Sequence, residues 1–228
     1  MKFLNDLDVV NDDLVIFSDS SSRWQRRDYF KILMEGIPNG RVFSLVPSTG
    51  EVKVLMKDVF FANGVQLFPD KQSFLVAETA MARIKRHWIA GPKKGTTEVF
   101  AENLPGLPDN IRLSDDGKTF WVGMANVRRH QQFSLIDFVS EKPVLRKFLL
   151  KLIPSPYWSI LYSKLRTRHA MIIELDLNGQ IVSSAHDTYG VLMTEASQVT
   201  DDGEYLYMGS FHANFIAKLH KSYLRSTN

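Results

Sequence analysis

Short runs of alternating apolar and polar residues occupy most of the chain, which is the pattern of half-buried β-strands. The clearest run covers residues 107–123. Ile111 and Leu113 alternate with polar neighbours, residues 115–117 (Asp-Asp-Gly) have turn chemistry, and residues 120–122 (Phe-Trp-Val) suit a second strand. This stretch therefore predicts two adjacent antiparallel strands.

The same pattern occurs four times along the chain. In each copy an acidic or amide residue stands seven positions before an aspartate of the turn. The four pairs are Asn5 with Asp12, Asn63 with Asp70, Asp109 with Asp116, and Glu195 with Asp202. The copies begin 58, 46 and 86 residues apart. Repeats of roughly 40–50 residues that contain several strands are typical of β-propellers, so we predict an all-β fold of this type.

Each repeat contains two inner strands followed by an outer hairpin. We divide the chain, as one partial propeller domain over residues 1–228, into blades at about 1–57, 58–102, 103–189 and 190–222. The last unit ends before a fourth strand. The prediction is an incomplete propeller of about three and a half four-stranded blades.

Residues 127–168 depart from the strand pattern. Apolar residues recur there at helical spacing, and Pro154 and Pro156 are expected to break the run. The segment holds nine Lys and Arg against two Asp and Glu, a net charge of +7. Two interpretations stay open. The helices form a lid that closes a pocket for an apolar ester, or they lie on an anionic membrane surface.

Bulk composition excludes some classes of function. The 228 residues are 44% hydrophobic and 23% charged, which suffices for a sizeable core. A net charge of +3 gives no argument for a nucleic-acid partner, and we predict none. The absence of cysteine rules out disulfides and thiolate metal sites. We find no targeting segment and no apolar run of the roughly 18–20 residues that a membrane span needs.

The repeated polar position points to a candidate site. The innermost strands of a propeller face a central channel, so a residue at the same place in each blade points toward one axis. Asn5, Asn63, Asp109 and Glu195 hold this place, with Asn110 beside Asp109. All offer oxygen atoms, which calcium prefers, and none is the His or Cys that zinc prefers. The alternative is that each residue caps a turn through its own backbone.

Several stretches resemble the strictosidine synthase-like group, which is related to paraoxonases and gluconolactonases. They are residues 5–7, 18–29, 34–36, 63–66, 76–84 and 108–112, of which 18–29 is the most specific. The resemblance implies a six-bladed propeller with an arylesterase-like hydrolase site that is often calcium-dependent. It also implies an N-terminally truncated chain, without the anchor and two further blades of full-length members. Membrane association or the secretory pathway is the expected location.

The resemblance also implies roles for particular residues. The positions that match ligands of the catalytic calcium are Asn5, Asn63, Asp109 and Asn110. Asp6 matches a ligand of a second, structural calcium. Glu195 matches the catalytic acid/base of strictosidine synthase. We therefore nominate Glu195 as the catalytic carboxylate, with His212 as the second choice for activating water.

Two functions follow as expectations. The first is a calcium-dependent arylesterase or lactonase-like hydrolase that acts on small esters. The second is a non-enzymatic, membrane-associated propeller module for binding or scaffolding, in which calcium is structural.

Overall fold

The described part of the chain comprises residues 1–128, 133–165 and 168–224 of a computed structural model. Residues 129–132 and 166–167 of the predicted helical insert lie outside the described residues.

Fifteen strands lie in these ranges. They are β1 Leu4–Asn11, β2 Leu14–Asp19, β3 Gly40–Val46, β4 Glu51–Val59, β5 Ala62–Leu67, β6 Ser73–Glu78, β7 Arg83–Trp88, β8 Thr97–Ala101, β9 Gly106–Leu113, β10 Thr119–Val127, β11 Ala170–Asp176, β12 Ile181–Asp187, β13 Gln198–Asp201, β14 Tyr205–Gly209 and β15 Ala217–His220.

The strands form four antiparallel sheets in which sequence neighbours are also neighbours in space. The sheets are β1–β4, β5–β8, β9–β12 and β13–β15. The prediction of an all-β fold built from four-stranded antiparallel sheets is confirmed by the first three. The fourth sheet has three strands within the described residues.

The innermost strands lie against one another in chain order: β1 contacts β5, β5 contacts β9, and β9 contacts β13. Apolar cores fill the spaces between the sheets, and β6 shows how alternation supplies two of them. Phe74 and Val76 pack with Ile16 of the first sheet, whereas Leu75 packs with Phe120 of the third. Because both faces of this strand are covered, all of its residues are buried.

Four α-helices also lie within the described ranges: α1 Tyr29–Glu35, α2 Leu135–Ser140, α3 Pro143–Leu152 and α4 Ser155–Leu165. Short 3-10 helices cover Arg26–Asp28, Thr79–Met81 and Lys221–Leu224. The helices expected within residues 127–168 are present. The expectation that Pro156 interrupts them is wrong, because Pro156 lies in the first turn of α4. Backbone N–H groups in a first turn have no acceptor within the helix, so the N–H that proline lacks is not missed there.

The helices form one layer on one end of the inner strands. Phe30 of α1 and Trp158 and Tyr162 of α4 are buried in a cluster that also contains Phe3, Phe61 and Leu107. These last three residues stand two positions before Asn5, Asn63 and Asp109. The helical layer therefore covers the end of the sheets at which the candidate residues lie. We call this layer, α1 to α4, the helical cap.

Candidate functional site

Three of the candidate positions lie in β-bulges of the innermost strands. Asn5 and Asp6 together oppose Ser18, because Leu4 pairs with Asp19 and Leu7 with Phe17. A bulge of two residues against one bends the strand and redirects its side chains, and bulges are common beside active sites.

The second and third sheets repeat this irregularity at the matching place. Asn63 and Gly64 oppose one residue of β6, and Asp109 and Asn110 oppose one residue of β10, Gly123. The three equivalent positions therefore share a local geometry as well as a place in the repeat.

Hydroxyl groups connect these positions from sheet to sheet. The Asn5 amide donates to Ser20 Oγ at 2.8 Å, and that hydroxyl donates to the carbonyl of Ala62 at 2.7 Å. The Asn63 amide, one residue further on, donates to Thr79 Oγ1 at 3.1 Å, and Thr79 donates to the carbonyl of Pro108 at 2.7 Å. Pro108 directly precedes Asp109. Each hydroxyl thus orients one candidate side chain and fixes the strand that carries the next.

Two buried amide oxygens at this place find no hydrogen-bond donor within the part of the chain that the structure describes. Asn63 is 3% exposed, and its Oδ1 atom has no partner among the described residues. The same holds for Asn110 Oδ1. An unpaired buried oxygen costs free energy, so such atoms in a native structure call for an ion, a water or a ligand.

Asp109 lies beside Asn63 and directly precedes Asn110. Burial raises the pKa of its carboxyl to about 7, because desolvation disfavours the charged form. The hydrogen bond from Asn63 lowers this pKa, the charge of Asp6 raises it, and Arg26 and Arg112 lower it. The charge on Asp109 is therefore incompletely compensated by the protein.

Asp6 is held differently from the other predicted ligands. Both of its carboxylate oxygens accept from Arg112, at 2.7 Å each, and Oδ2 also accepts from the backbone N–H of Val65 at 2.8 Å. A cation at Asp6 would have to displace a bidentate guanidinium. Asn5 is exposed, and its amide is bound to Ser20 as described above.

Glu195 lies three residues before β13 rather than within an innermost strand, so its expected equivalence to the other three positions is only partial. The carbonyl of Ser197 accepts from the backbone N–H of Asn110 at 3.0 Å, so the residues just before β13 lie against the third sheet.

A compact set of polar groups surrounds the buried Glu195 carboxylate. Its Oε1 atom accepts from Ser210 Oγ at 2.7 Å and bonds to His212 Nδ1 at 3.0 Å, and Oε2 accepts from Thr194 Oγ1 at 2.8 Å. An ionised carboxylate only accepts, so Nδ1 of His212 carries a hydrogen in this pair. In neutral His212 the Nε2 atom then has the lone pair.

The structure thus places Asn63 beside Asp109 and links Asn5, through Ser20, to the backbone of Ala62 directly before Asn63. Sequence reasoning missed the hydroxyls. A signal was available, because Ser20, Thr79 and Ser210 follow Asn5, Asn63 and Glu195 by 15, 16 and 15 positions. The third repeat has no hydroxyl at this spacing, which hid the pattern.

The donor set determines which ions fit. Within residues 1–128, 133–165 and 168–224, no group of three or more His, Asp or Glu side chains is placed to hold a metal. The oxygens that remain are two buried amides and one carboxylate. A hard, oxygen-preferring cation such as calcium fits them, whereas zinc does not.

Four antiparallel meander sheets with their innermost strands side by side define a propeller-type protein. Residues 5–92 match the family model of strictosidine synthase. The chain is 45% identical to adipocyte plasma membrane-associated protein of Salmo salar over 96% of its own length. It is 35% identical to protein STRICTOSIDINE SYNTHASE-LIKE 3 of Arabidopsis thaliana over 95% of its length. The chain belongs to the strictosidine synthase-like family.

The chain covers 52% of the salmon protein and 54% of the Arabidopsis protein, so it spans about half the length of these relatives.

Solved structures support the fold. The calcium-binding protein regucalcin of Agrobacterium tumefaciens superposes with a TM-score of 0.54 at 14% identity, over 93% of this chain and 54% of regucalcin. A gluconolactonase of Xanthomonas campestris superposes with a TM-score of 0.52 at 16% identity, over 90% of this chain and 53% of that enzyme. At these identities the likeness establishes the fold alone.

Within the described residues, every helix is too short or too polar to cross a bilayer.

Proposed function

We propose that this chain carries a calcium-dependent hydrolase site for small esters or lactones. The observation that carries the proposal is a pair of buried oxygens, Oδ1 of Asn63 and Oδ1 of Asn110, that have no hydrogen-bond partner among the described residues. Asp109 lies beside Asn63 and directly precedes Asn110, and its carboxyl is poorly neutralised by its surroundings. The names of the two structural neighbours, a calcium-binding protein and a gluconolactonase, agree with it. The wider architecture in this proposal is an arc of a six-bladed propeller.

In this proposal Asn63, Asp109 and Asn110 hold the ion, with Asn5 at the exposed side. Asp6 is left out, because Arg112 occupies both of its oxygens. When bound, calcium acts as a Lewis acid that polarises an ester carbonyl.

In this proposal His212 and Glu195 together activate the attacking water. Nε2 of His212 accepts a proton from water, and the buried Glu195 carboxylate stabilises the imidazolium that forms. Ser210 and Thr194 fix the carboxylate through their hydrogen bonds to it. The role expected of Glu195 is thereby refined from base to orienting group. The helical cap excludes water from an apolar substrate at the same end.

Hydrolysis of phenyl acetate and of gluconolactone tests this proposal. We expect turnover that a chelator abolishes and added calcium restores. His212→Gln should lower turnover by roughly 10²-fold or more, as expected for loss of a general base. His220→Gln is the matched control, because His220 pairs with Glu204, which is 67% exposed. Turnover that is indifferent to chelation, or equal in the two variants, would refute the proposed chemistry.

A non-enzymatic, membrane-associated binding module is the second candidate. The relatives carry "plasma membrane-associated" in their name. The helical cap, moreover, leaves large apolar side chains exposed. Calcium binding without turnover of any ester or lactone would favour this module.

A further inference from the structure

Helix α3 carries apolar residues beyond the side that it buries. Leu145, Leu149 and Leu150 face inward and pack against the buried cluster of the helical cap. Val144, Phe148 and Leu152, spaced four residues apart, continue the apolar surface around to the solvent side and are 81%, 57% and 61% exposed. A helix that only covered the sheets would need the buried side alone.

Helix α4 of the same cap also exposes apolar residues. Trp158 and Tyr162 are buried against α1, whereas Tyr157 and Ile160 are more than half exposed. Both helices pack their inner sides on the same cluster, so their exposed sides point away from it. We call Val144, Phe148, Leu152, Tyr157 and Ile160 the outer cap face.

Unpaired positive charge borders this face. On the helical wheel of α3, Lys147 and Lys151 lie directly beside the Val144–Phe148–Leu152 stripe. Lys164 lies on α4 one turn beyond Ile160. These three lysines form no ion pair within the described part of the chain, and neither α3 nor α4 contains an acidic residue.

This combination selects a particular partner. An apolar stripe that contains aromatic residues and is edged by lysines is the pattern of a helix that lies in the plane of a lipid interface. Lysine side chains extend to anionic headgroups while their neighbours enter the acyl boundary. A second copy of this chain fits poorly, because a symmetric contact would bring the same lysines together.

We propose that the outer cap face docks on anionic phospholipid membranes, with the sheets remaining in water. This inference does not depend on hydrolytic activity, because the face lies on the far side of the cap from the candidate site.

Vesicle flotation of the full chain tests the inference. One set of vesicles is phosphatidylcholine alone, and the other is phosphatidylcholine mixed with phosphatidylserine. We expect flotation with the mixed vesicles, weakened by salt and much lower with phosphatidylcholine alone. Val144→Ser/Phe148→Ser/Leu152→Ser should reduce binding by roughly tenfold or more, and Lys147→Gln/Lys151→Gln by roughly fivefold per lysine.

The matched control makes the same chemical change elsewhere. Val52, Val54 and Val99 are exposed on the outer strands β4 and β8. Their triple serine variant should float like the unaltered chain, and circular dichroism should show that both triple variants remain folded. Equal flotation of the two triple variants, or no binding to either vesicle, overturns the proposal. So does concentration-dependent dimerisation that only the cap variant loses, which would assign the face to a second copy.

Discussion

Thr79 has a double role at the candidate site. Its hydroxyl accepts from the Asn63 amide and donates to the carbonyl of Pro108. The first bond turns Oδ1 of Asn63 away from the hydroxyl, and the second fixes the strand that presents Asp109. We therefore regard Thr79 as a positioning residue for the proposed ion.

Thr79→Val should lower both stability and calcium affinity. The variant keeps the shape of the side chain but leaves the Pro108 carbonyl without its donor, at a cost of about 1–3 kcal/mol. Denaturant unfolding measures the first effect and calorimetric calcium titration the second. Thr119→Val is the control, because Thr119, the first residue of β10, bonds to Glu174 of β11 and to none of the candidate residues. The Thr119→Val variant should lose stability but keep its calcium affinity. Equal losses of calcium affinity in both variants would contradict the role of Thr79.

The raised pKa of Asp109 predicts a pH dependence of stability in the presence of a chelator. Between the usual value of 3.8 and about 7, the folded chain keeps a proton on Asp109 that the unfolded chain releases. The free energy of unfolding should therefore fall as pH rises through this window, by at most about 1.4 kcal/mol per pH unit, and level off above it.

Asp109→Asn removes the titrating group. We expect the variant to match the unaltered chain near the lower end of the window and to become increasingly more stable than it toward neutral pH. Urea unfolding at a series of pH values measures the difference. A constant difference across the series would show that Asp109 titrates normally.

Strands β5 and β9 approach each other at Gly64. A Cβ atom there would lie 2.6 Å from Cα of Asn110 and 2.7 Å from both the carbonyl oxygen of Asp109 and the amide nitrogen of Ile111. These atoms belong to the backbone and cannot move aside independently. This contact places the bulge of β5 beside the bulge of β9.

Gly64→Ala should accordingly destabilise the chain by about 1–3 kcal/mol or more through overpacking. Gly209→Ala is the control, because a Cβ at Gly209 would meet no atom within 4 Å. Thermal unfolding of the two variants measures the contrast. Similar melting temperatures would mean that the inner strands are farther apart than described.

At the scale of elements, the sequence predicts strands better than their irregularities. Alternation around Ile111 and turn residues such as Asp116 and Gly117 locate β9 and β10. The bulge at Asp109 and Asn110 was not predicted, because a two-against-one pairing depends on the partner strand. Helix α1 was also missed, since its seven residues are too few to display a clear helical period.

Arg112 joins parts of the molecule that are far apart in sequence. Its guanidinium bonds to Asp6 of the first sheet and to Gln198 of the fourth. Its NH1 atom also lies 3.4 Å from the carbonyl oxygen of Val65 in the second sheet. Arg112 itself belongs to the third sheet, so one side chain contacts all four innermost strands.

Arg112→Met should lower the free energy of unfolding by about 3 kcal/mol, because it leaves the largely buried Asp6 carboxylate unpaired. Adding Asp6→Asn should restore part of the loss, since the uncompensated charge is then gone. A double-mutant cycle in denaturant measures the coupling. Additive effects of the two substitutions would indicate that the ion pair contributes nothing.

At the scale of the whole molecule, the repeat in the sequence indicates how many sheets to expect and which positions correspond. It cannot supply the distances between those positions. Asp6 illustrates the limit: its match to a calcium ligand gave no hint that Arg112, 106 residues away, binds the same oxygens. The links between sheets depend on register and blade rotation, which local patterning does not encode.

Calorimetric titration of the metal-free chain with calcium tests the central claim most directly. We predict one ion per chain, loss of this binding in Asn63→Ala, and unchanged binding in Asn178→Ala, whose amide lies in an exposed turn of the third sheet. Absence of calcium binding, or binding that Asn63→Ala leaves intact, would contradict the assignment of Asn63, Asp109 and Asn110 as the ion site.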